Sequence, residues 1–417
     1  MWCFGFKIGQ VRLPGKFFRR IWIAVHMVLK LRDEWPLLKG KIHFDTATTG
    51  AMPASTMNVL GEYVETVQAM FRGDLPWQSG TGDYANRRLN SKKLFAEIIG
   101  GKEEEIAFIP NATAGINTAI NMIPVKRGQN IICTNLSFPM GATIVNKQRD
   151  RGAKPKWLKN KKGVVTLEQF EKAINDKTAA VVVDQPSWFN GYLHDLKMLS
   201  EICHKHGAKL IVDGTQSIGS LAWEADRWGV DFAATSTYKW LMGGHYGQSA
   251  GFLFVSKSNI DATQPVYVGE KTLEPKVGEQ NTFDEFTLYD WKPRKGLERI
   301  EVFARQEISY VAVENSMKVL LAHGKKAVER QVRDVDNTLV DELTKRHFKL
   351  QTPKEEERRI YVNVQVPDFK VVGEKLMARN IHVAARIGGL RISPHFYNTE
   401  EEAVALVKAL REVTKPR

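Results

Sequence analysis

The stretch that decides the fold runs from Lys209 to Val255, KLIVDGTQSIGSLAWEADRWGVDFAATSTYKWLMGGHYGQSAGFLFV. LIVD is a short apolar run that closes on a carboxylate, Asp213, and the turn formers GTQSIG after it put Gln216 at the same strand end. DFAATS is a second short run. It ends at Ser236, and Thr237, Tyr238 and Lys239 follow at once, ahead of a loop dense in glycine at Gly243, Gly244, Gly247 and Gly251. In open parallel sheets ligands bind in the crevice beyond the carboxyl ends of the strands, so an Asp and a Lys at two such ends are placed to face one ligand.

Pyridoxal phosphate chemistry needs that pair. A lysine forms a Schiff base with the cofactor aldehyde, and a carboxylate beside the pyridine nitrogen keeps it protonated, so the ring can accept electrons from the substrate Cα. An Asp at a strand end and a Lys in a later loop occur in many α/β proteins; Asp, Gln three later, Ser-x-x-Lys and a Gly-rich loop in that order are far more specific. VDGTQSIG, VDF and STYKW resemble the cofactor-lysine region of the class V aminotransferase and cysteine desulfurase family, which are fold-type I pyridoxal phosphate enzymes. The interval 239 − 213 = 26 agrees with the desulfurase branch.

The resemblance runs from Arg32 to the chain end and implies an α/β fold. It predicts a large domain with a mainly parallel seven-stranded sheet and helices on both faces, followed by a smaller C-terminal α+β domain. The expected divisions are an N-terminal arm over 1–31, the cofactor-binding domain over 32–290 and the small domain over 291–417.

Composition is compatible with this. A chain of 417 residues with 43% hydrophobic content can bury a large core. The net charge of +13 suits an anionic partner, but it is diffuse: KPKWLKNKKG at 154–163 and KPRK at 292–295 carry one aromatic between them and no groove-reading motif. Nucleic acid is not an expected partner. Cys3, Cys133 and Cys203 are far apart and form no CxxC pair, which reads as a reduced, cytoplasmic chain. No metal is expected, because His204 and His206 beside Cys203 lie in ICHKHG, a helix end capped by Gly207. The apolar run Ile21–Leu29 is too short to span a bilayer, where ~20 apolar residues are needed, so no membrane is expected.

Other site residues follow in chain order. HFDTATTGAMP is similar to the segment lining the active-site mouth of class V enzymes, with Thr48 where substrate enters. Helices are expected in ASTMNVLGEYVETVQAMF and NRRLNSKKLFAEIIG, with GDLPWQSGTGDY as a loop between them. EEIAFIPNATAGINTAINMI reads as strand, turn and helix, so Asn111, Ala112 and Thr113 open a helix whose free N–H groups and dipole suit a phosphate. Phe138, at the end of the next strand, is the residue expected to stack on the cofactor ring, as in the branch resembling kynureninase. Where the family has Ser-Asn-x-x-Gly this chain reads Ser187-Trp188-Phe189-Asn190-Gly191, so Trp188 replaces an Asn contact with an aromatic wall. A cross-subunit Thr of the family falls at Ala304, with Arg305 or Gln306 as the replacement. IHVAARIGGLRIS reads as a strand of the small domain. Arg391 within it is expected to grip the substrate α-carboxylate through two parallel hydrogen bonds. Thr399 and Glu402 form a capping box for the last helix.

Together these residues imply an enzyme acting on a small amino acid as a homodimer with shared sites. Lys239 and Asp213 would be catalytic; Ala112, Thr113, Phe138, Gln216, Ser236 and Tyr238 would hold pyridoxal 5'-phosphate; Arg391, Thr48 and Trp188 would hold substrate. Transamination is the expected outcome, with isopenicillin N epimerase-like racemisation or carbon–sulfur cleavage as alternatives. Cysteine desulfuration is disfavoured, because HVAARIGGLR is short and holds no cysteine. A non-enzymatic, basic binding module on the same fold would have lost the cofactor residues, which this chain keeps.

Overall fold

The computed structural model describes residues 33–77, 81–245, 248, 250–262, 265–269, 272, 274, 292–301 and 306–414. The expected arm over 1–31, the expected boundary at 290/291, and Ala304 and Arg305 lie outside the described residues. The strands, in chain order, begin with β1 (Ile42–His43). The central ones follow as β2 (Ile106–Ile109), β3 (Asn130–Thr134), β4 (Lys154–Leu158), β5 (Thr178–Asp184), β6 (Lys209–Asp213), β7 (Phe232–Ser236) and β8 (Gly251–Val255). The C-terminal ones are β9 (Lys349–Leu350), β10 (Val362–Gln365), β11 (Ile381–His382), β12 (Ala384–Arg386) and β13 (Gly389–Ile392).

The large sheet has the order β2-β8-β7-β6-β5-β3-β4. β8 runs antiparallel to both β2 and β7, and the other pairings are parallel. Side chains alternate across a strand, and here the alternation feeds two separate cores. Val181, Val183, Leu210 and Val212 join one, with Phe95 and Leu199 from helices on that face. Ala180, Val182 and Ile211 join the other, with Ile116 and Ile120 of the helix Ala112–Met122. A sheet covered on both faces explains why TAAVVVD is an unbroken apolar run, buried along its whole length.

The small domain is an antiparallel sheet of order β12-β13-β10-β9. Its core takes Val335 and Leu339 from the helix Lys325–Lys345 and Leu406 and Leu410 from the helix Glu400–Thr414. The expected capping box opens that last helix: Thr399 N–H donates to Glu402 Oε2 (3.1 Å) and Glu402 N–H to Thr399 Oγ1 (3.3 Å). β1 pairs in parallel with β11, Ile42 opposite Ile381, so the first described strand is built into the C-terminal side of the molecule.

Two local expectations are corrected. The second helix starts at Thr81, inside the stretch read as loop; Asp83 in its first turn is the acid that a helix N-terminus favours. IHVAARIGGLRIS is three strands, not one. Ile387 (φ 43°) and Gly388 (φ 72°) are left-handed and turn β12 back onto β13, while β11 leaves to pair with β1. The histidines beside Cys203 are held by acids, His204 by Asp231 and His206 by Asp176, both at 2.8 Å. Among the described residues no three ligating side chains form a metal group, and no helix is long and apolar enough to cross a membrane.

Candidate active site

The carboxyl ends of β5, β6 and β7 meet at a cleft that is open to solvent. Asp213 and Gln216 enter it from the end of β6, and Ser236, Tyr238 and Lys239 from the end of β7. Ala112 and Thr113 line it from the start of a helix, and Phe138 and Trp188 form its aromatic side. Lys239 and Asp213 therefore share one cavity. The backbone beside the lysine is closely packed: Gly50 N–H donates to the Tyr238 carbonyl at 3.0 Å, and a Cβ on Gly50 would lie 2.0 Å from the Lys239 carbonyl oxygen. Only glycine fits there.

Burial first, and then the Arg391 charge, lower the Lys239 amine to about 8 against the opposing pull of Asp213, Asp184 and Asp45. Asp184 was not anticipated from sequence. It is the register partner of Asp213 across β5 and β6, so the two carboxyl groups stand side by side at the cleft floor. Burial and the Asp213 charge raise Asp184 well above the usual carboxylate range. Its Oδ2 accepts the Phe138 N–H at 2.5 Å, which fixes the residue that opens the helix Pro139–Lys147. The signal was present: VVVD and LIVD are matching apolar runs ending in Asp, and they prove to be adjacent strands. Thr215 also lines the cleft, and its N–H orients Asp213 by donating to Oδ1 at 3.0 Å.

At the opposite end, Asn111 caps the helix Ala112–Met122 by accepting the Ala114 N–H at 2.9 Å. The Ala112 N–H donates to Ser236 Oγ at 3.0 Å, which ties this helix start to β7. Gln216 is oriented by two bonds: its Oε1 accepts the Trp240 indole N–H (3.1 Å) and its Nε2 donates to the Ala47 carbonyl (3.0 Å). One amide N–H remains for the cleft. Phe138 and Trp188 meet edge to face with centroids 5.6 Å apart.

Arg391 stands beside the cleft rather than on its lining. Its Nη2 donates to Thr48 Oγ1 and its Nη1 to the Trp188 carbonyl, both at 2.8 Å, and Asp45 lies 3.7 Å from Nη2. Arg391 thus touches both of the other residues expected to meet substrate, Thr48 and Trp188. Gln306 accepts the Ser309 N–H at 3.1 Å through its carbonyl, at the start of the helix Glu307–His323.

A buried amine of lowered basicity, an acid pair and a helix N-terminus line one cleft, and these match the aldehyde, ring nitrogen and phosphate of pyridoxal phosphate. The family model for aminotransferase class-V matches residues 42–406. The chain belongs to that family. Its cofactor is accordingly pyridoxal 5'-phosphate, and it is a pyridoxal-phosphate-dependent enzyme acting on an amino acid. An uncharacterized aminotransferase, YcbU of Bacillus subtilis, is 22% identical over 90% of this chain and 95% of its own length. A probable cysteine desulfurase of Pyrococcus abyssi is 25% identical over 92% of this chain and 97% of its own. A kynureninase of Flavobacterium psychrophilum is 25% identical over 77% and 78%. Among solved structures, the apo cysteine desulfurase of Thermococcus onnurineus superposes with a TM-score of 0.80 at 22% identity, over 92% of this chain and 97% of that one. The cystine C-S lyase C-DES in complex with cysteine persulfide gives 0.80 at 19%, over 90% and 98%. These superpositions show that the chain shares the fold of those proteins.

Proposed function

We propose that this chain is a class V aminotransferase that works as a homodimer, with Lys239 as the residue that carries the cofactor. The observation that carries the reading is the buried Lys239 amine, at about 8, set in one cleft with Asp213. Bound pyridoxal phosphate supplies an aldehyde for the substrate amine and a ring that accepts electrons from Cα. Asp213 keeps the proton on the ring nitrogen. The Thr113 N–H at the helix start, with Ser236 and Tyr238, takes the phosphate, and the Ala112 N–H holds the Ser236 hydroxyl in place. Arg391 grips the substrate carboxylate with Thr48 beside it, which fixes the bond to be broken. The Lys239 amine then moves the proton at Cα, a role that its lowered basicity suits at neutral pH. Phe138 and Trp188 keep water from that side.

Epimerisation or carbon–sulfur cleavage would start with the same proton transfer and part from transamination afterwards. Persulfide chemistry has no support among the described residues: Cys133 and Cys203 are buried, and burial pushes both thiols up to about 12. The dimer is supported by Met57, Val64 and Phe71, seven residues apart on the helix Ala54–Arg72 and all exposed. Phe71 (72% exposed) and Trp77 (63%) add a ring pair with centroids 4.9 Å apart.

The test is the visible spectrum of purified Lys239→Ala. Loss of the borohydride-reducible chromophore is expected, and its retention would overturn the assignment. Incubating the wild type with amino acids and 2-oxo acids, and following new amino acid formation and its stereochemistry, separates transamination from the other outcomes.

A further inference from the structure

We propose that Arg386 forms a second anion subsite beside Arg391, so that the substrate class is an amino acid carrying a distal carboxylate, of the aspartate or glutamate type, and its 2-oxo acid. This rests on the reading of Arg391 as the α-carboxylate site.

The strand register places the two arginines. Ala384 stands opposite Arg391 and Arg386 opposite Gly389. Opposite residues share a face of an antiparallel pair, and so do alternate residues along a strand, so Arg386 and Arg391 leave the hairpin on one face. The other face belongs to Ala385 and Leu390. A Cβ on Gly373, in the helix Phe369–Met377, would lie 3.8 Å from the Ala385 Cβ and 3.6 Å from Leu390 Cδ2. The arginine face therefore turns away from that helix, toward Thr48 and Trp188, which Arg391 touches. Asn363 Nδ2 donates to both the Phe189 carbonyl (3.0 Å) and the Arg386 carbonyl (3.3 Å), pinning the base of Arg386 against the loop that bears Trp188.

The Arg386 guanidinium has little to do within the protein. Its Nη1 donates to the carbonyl of the preceding Ala385 at 2.9 Å, and among the described residues it enters no ion pair. Its charge is felt at Arg391, lowering that group alongside burial. Asp45 is the acid that faces Arg391, at 3.7 Å. Asp45 answers the Arg391 charge, and the Arg386 guanidinium has no carboxylate of its own among the described residues, so a second anionic group on the ligand would match it. Diagonal partners across such a pair lie roughly 7–8 Å apart, with their Cβ atoms somewhat closer. The α-carboxylate on Arg391 and a terminal carboxylate on Arg386, two to three carbons further along, suit that spacing. A substrate with an apolar side chain leaves Arg386 unmatched.

Binding of glutarate and valerate, five-carbon acids with two carboxylates and one, tests this by isothermal titration calorimetry on the cofactor-loaded protein, a readout independent of turnover. The wild type should bind glutarate at least tenfold more tightly than valerate. Arg386→Met should cut that preference to within twofold while leaving valerate affinity and the thermal midpoint unchanged, Arg386→Lys should keep it, and Arg391→Met should weaken both acids. No preference in the wild type, or an undiminished one in Arg386→Met, overturns the proposal. So does a preference lost equally in Arg386→Lys, since a cation would then not be what recognises the ligand. The parent reading of Arg391 is judged separately, by the Arg391→Met arm: unchanged affinity for both acids there would overturn that reading, whatever Arg386→Met does to the preference.

Discussion

Replacing Lys239 with methionine should make the cofactor-free protein more stable. The amine is held at about 8 against an ordinary 10.5, chiefly by burial, so the folded chain is strained by carrying its charge. That displacement corresponds to roughly 3 kcal/mol at neutral pH, and water reaching the open side of the cleft screens part of it, leaving about 2 kcal/mol. The sign follows from proton counting. Between about 8 and 10.5 the folded lysine binds fewer protons than the unfolded one, so stability rises with pH across that window; below about 8 the full penalty applies. Methionine of similar length removes the charge and the titration together. Urea unfolding of stripped protein, followed by tryptophan fluorescence at pH 7.0 and pH 9.5, reads both effects. The variant should exceed the wild type by about 2 kcal/mol at the lower pH and by clearly less at the higher one. Equal stability of the two at pH 7.0, or a gap that widens as pH rises, would refute the claim that enclosure of this amine sets its basicity.

Three further expectations concern the same cleft and the surface near it. Asp213→Asn should keep the cofactor yet lower kcat at least about 100-fold, on the order of 2.7 kcal/mol on the barrier, in steady-state assays; an unchanged kcat would remove Asp213 from the ring nitrogen. Asp184→Ala leaves the Phe138 N–H without its acceptor and should weaken cofactor binding about tenfold by fluorescence titration, whereas Asp184→Asn, which still offers an oxygen, should stay within about twofold; equal loss in both variants would argue that the carboxylate charge, not the acceptor, is what counts. Phe71→Asp with Trp77→Asp should shift the molecular mass by light scattering from dimer to monomer at micromolar concentration, and an unshifted mass would move the subunit contact to another face.

The sheet was legible because its strands are covered on both sides. Apolar runs such as TAAVVVD and KLIVD, closing on acids, cannot be confused with half-wet strands, and the turn residues after LIVD and DFAATS marked where the cleft would open. The lysine, its acid and the helix start at Ala112 could be named for that reason. Asp184 escaped because its meaning depends on sheet order. Only when β5 lies beside β6 does its carboxylate stand next to Asp213, and only when β3 lies beside β5 does Phe138 reach it. The break in IHVAARIGGLRIS escaped for a different reason. A left-handed isoleucine at 387 is a conformation that sequence preference argues against, and the hairpin and the β1–β11 pairing impose it from outside.

The pairing of Ile42 with Ile381, and the bond from Arg391 to Thr48, bear on how the molecule is made. During synthesis the residues around the entrance wait while more than three hundred others leave the ribosome, because the strand and the guanidinium that complete them lie that much further along the chain. Until β11 and Arg391 have been made, Ile42 has no strand to pair with and Thr48 no guanidinium to hold it, whatever the state of the sheet that carries Lys239 and Asp213.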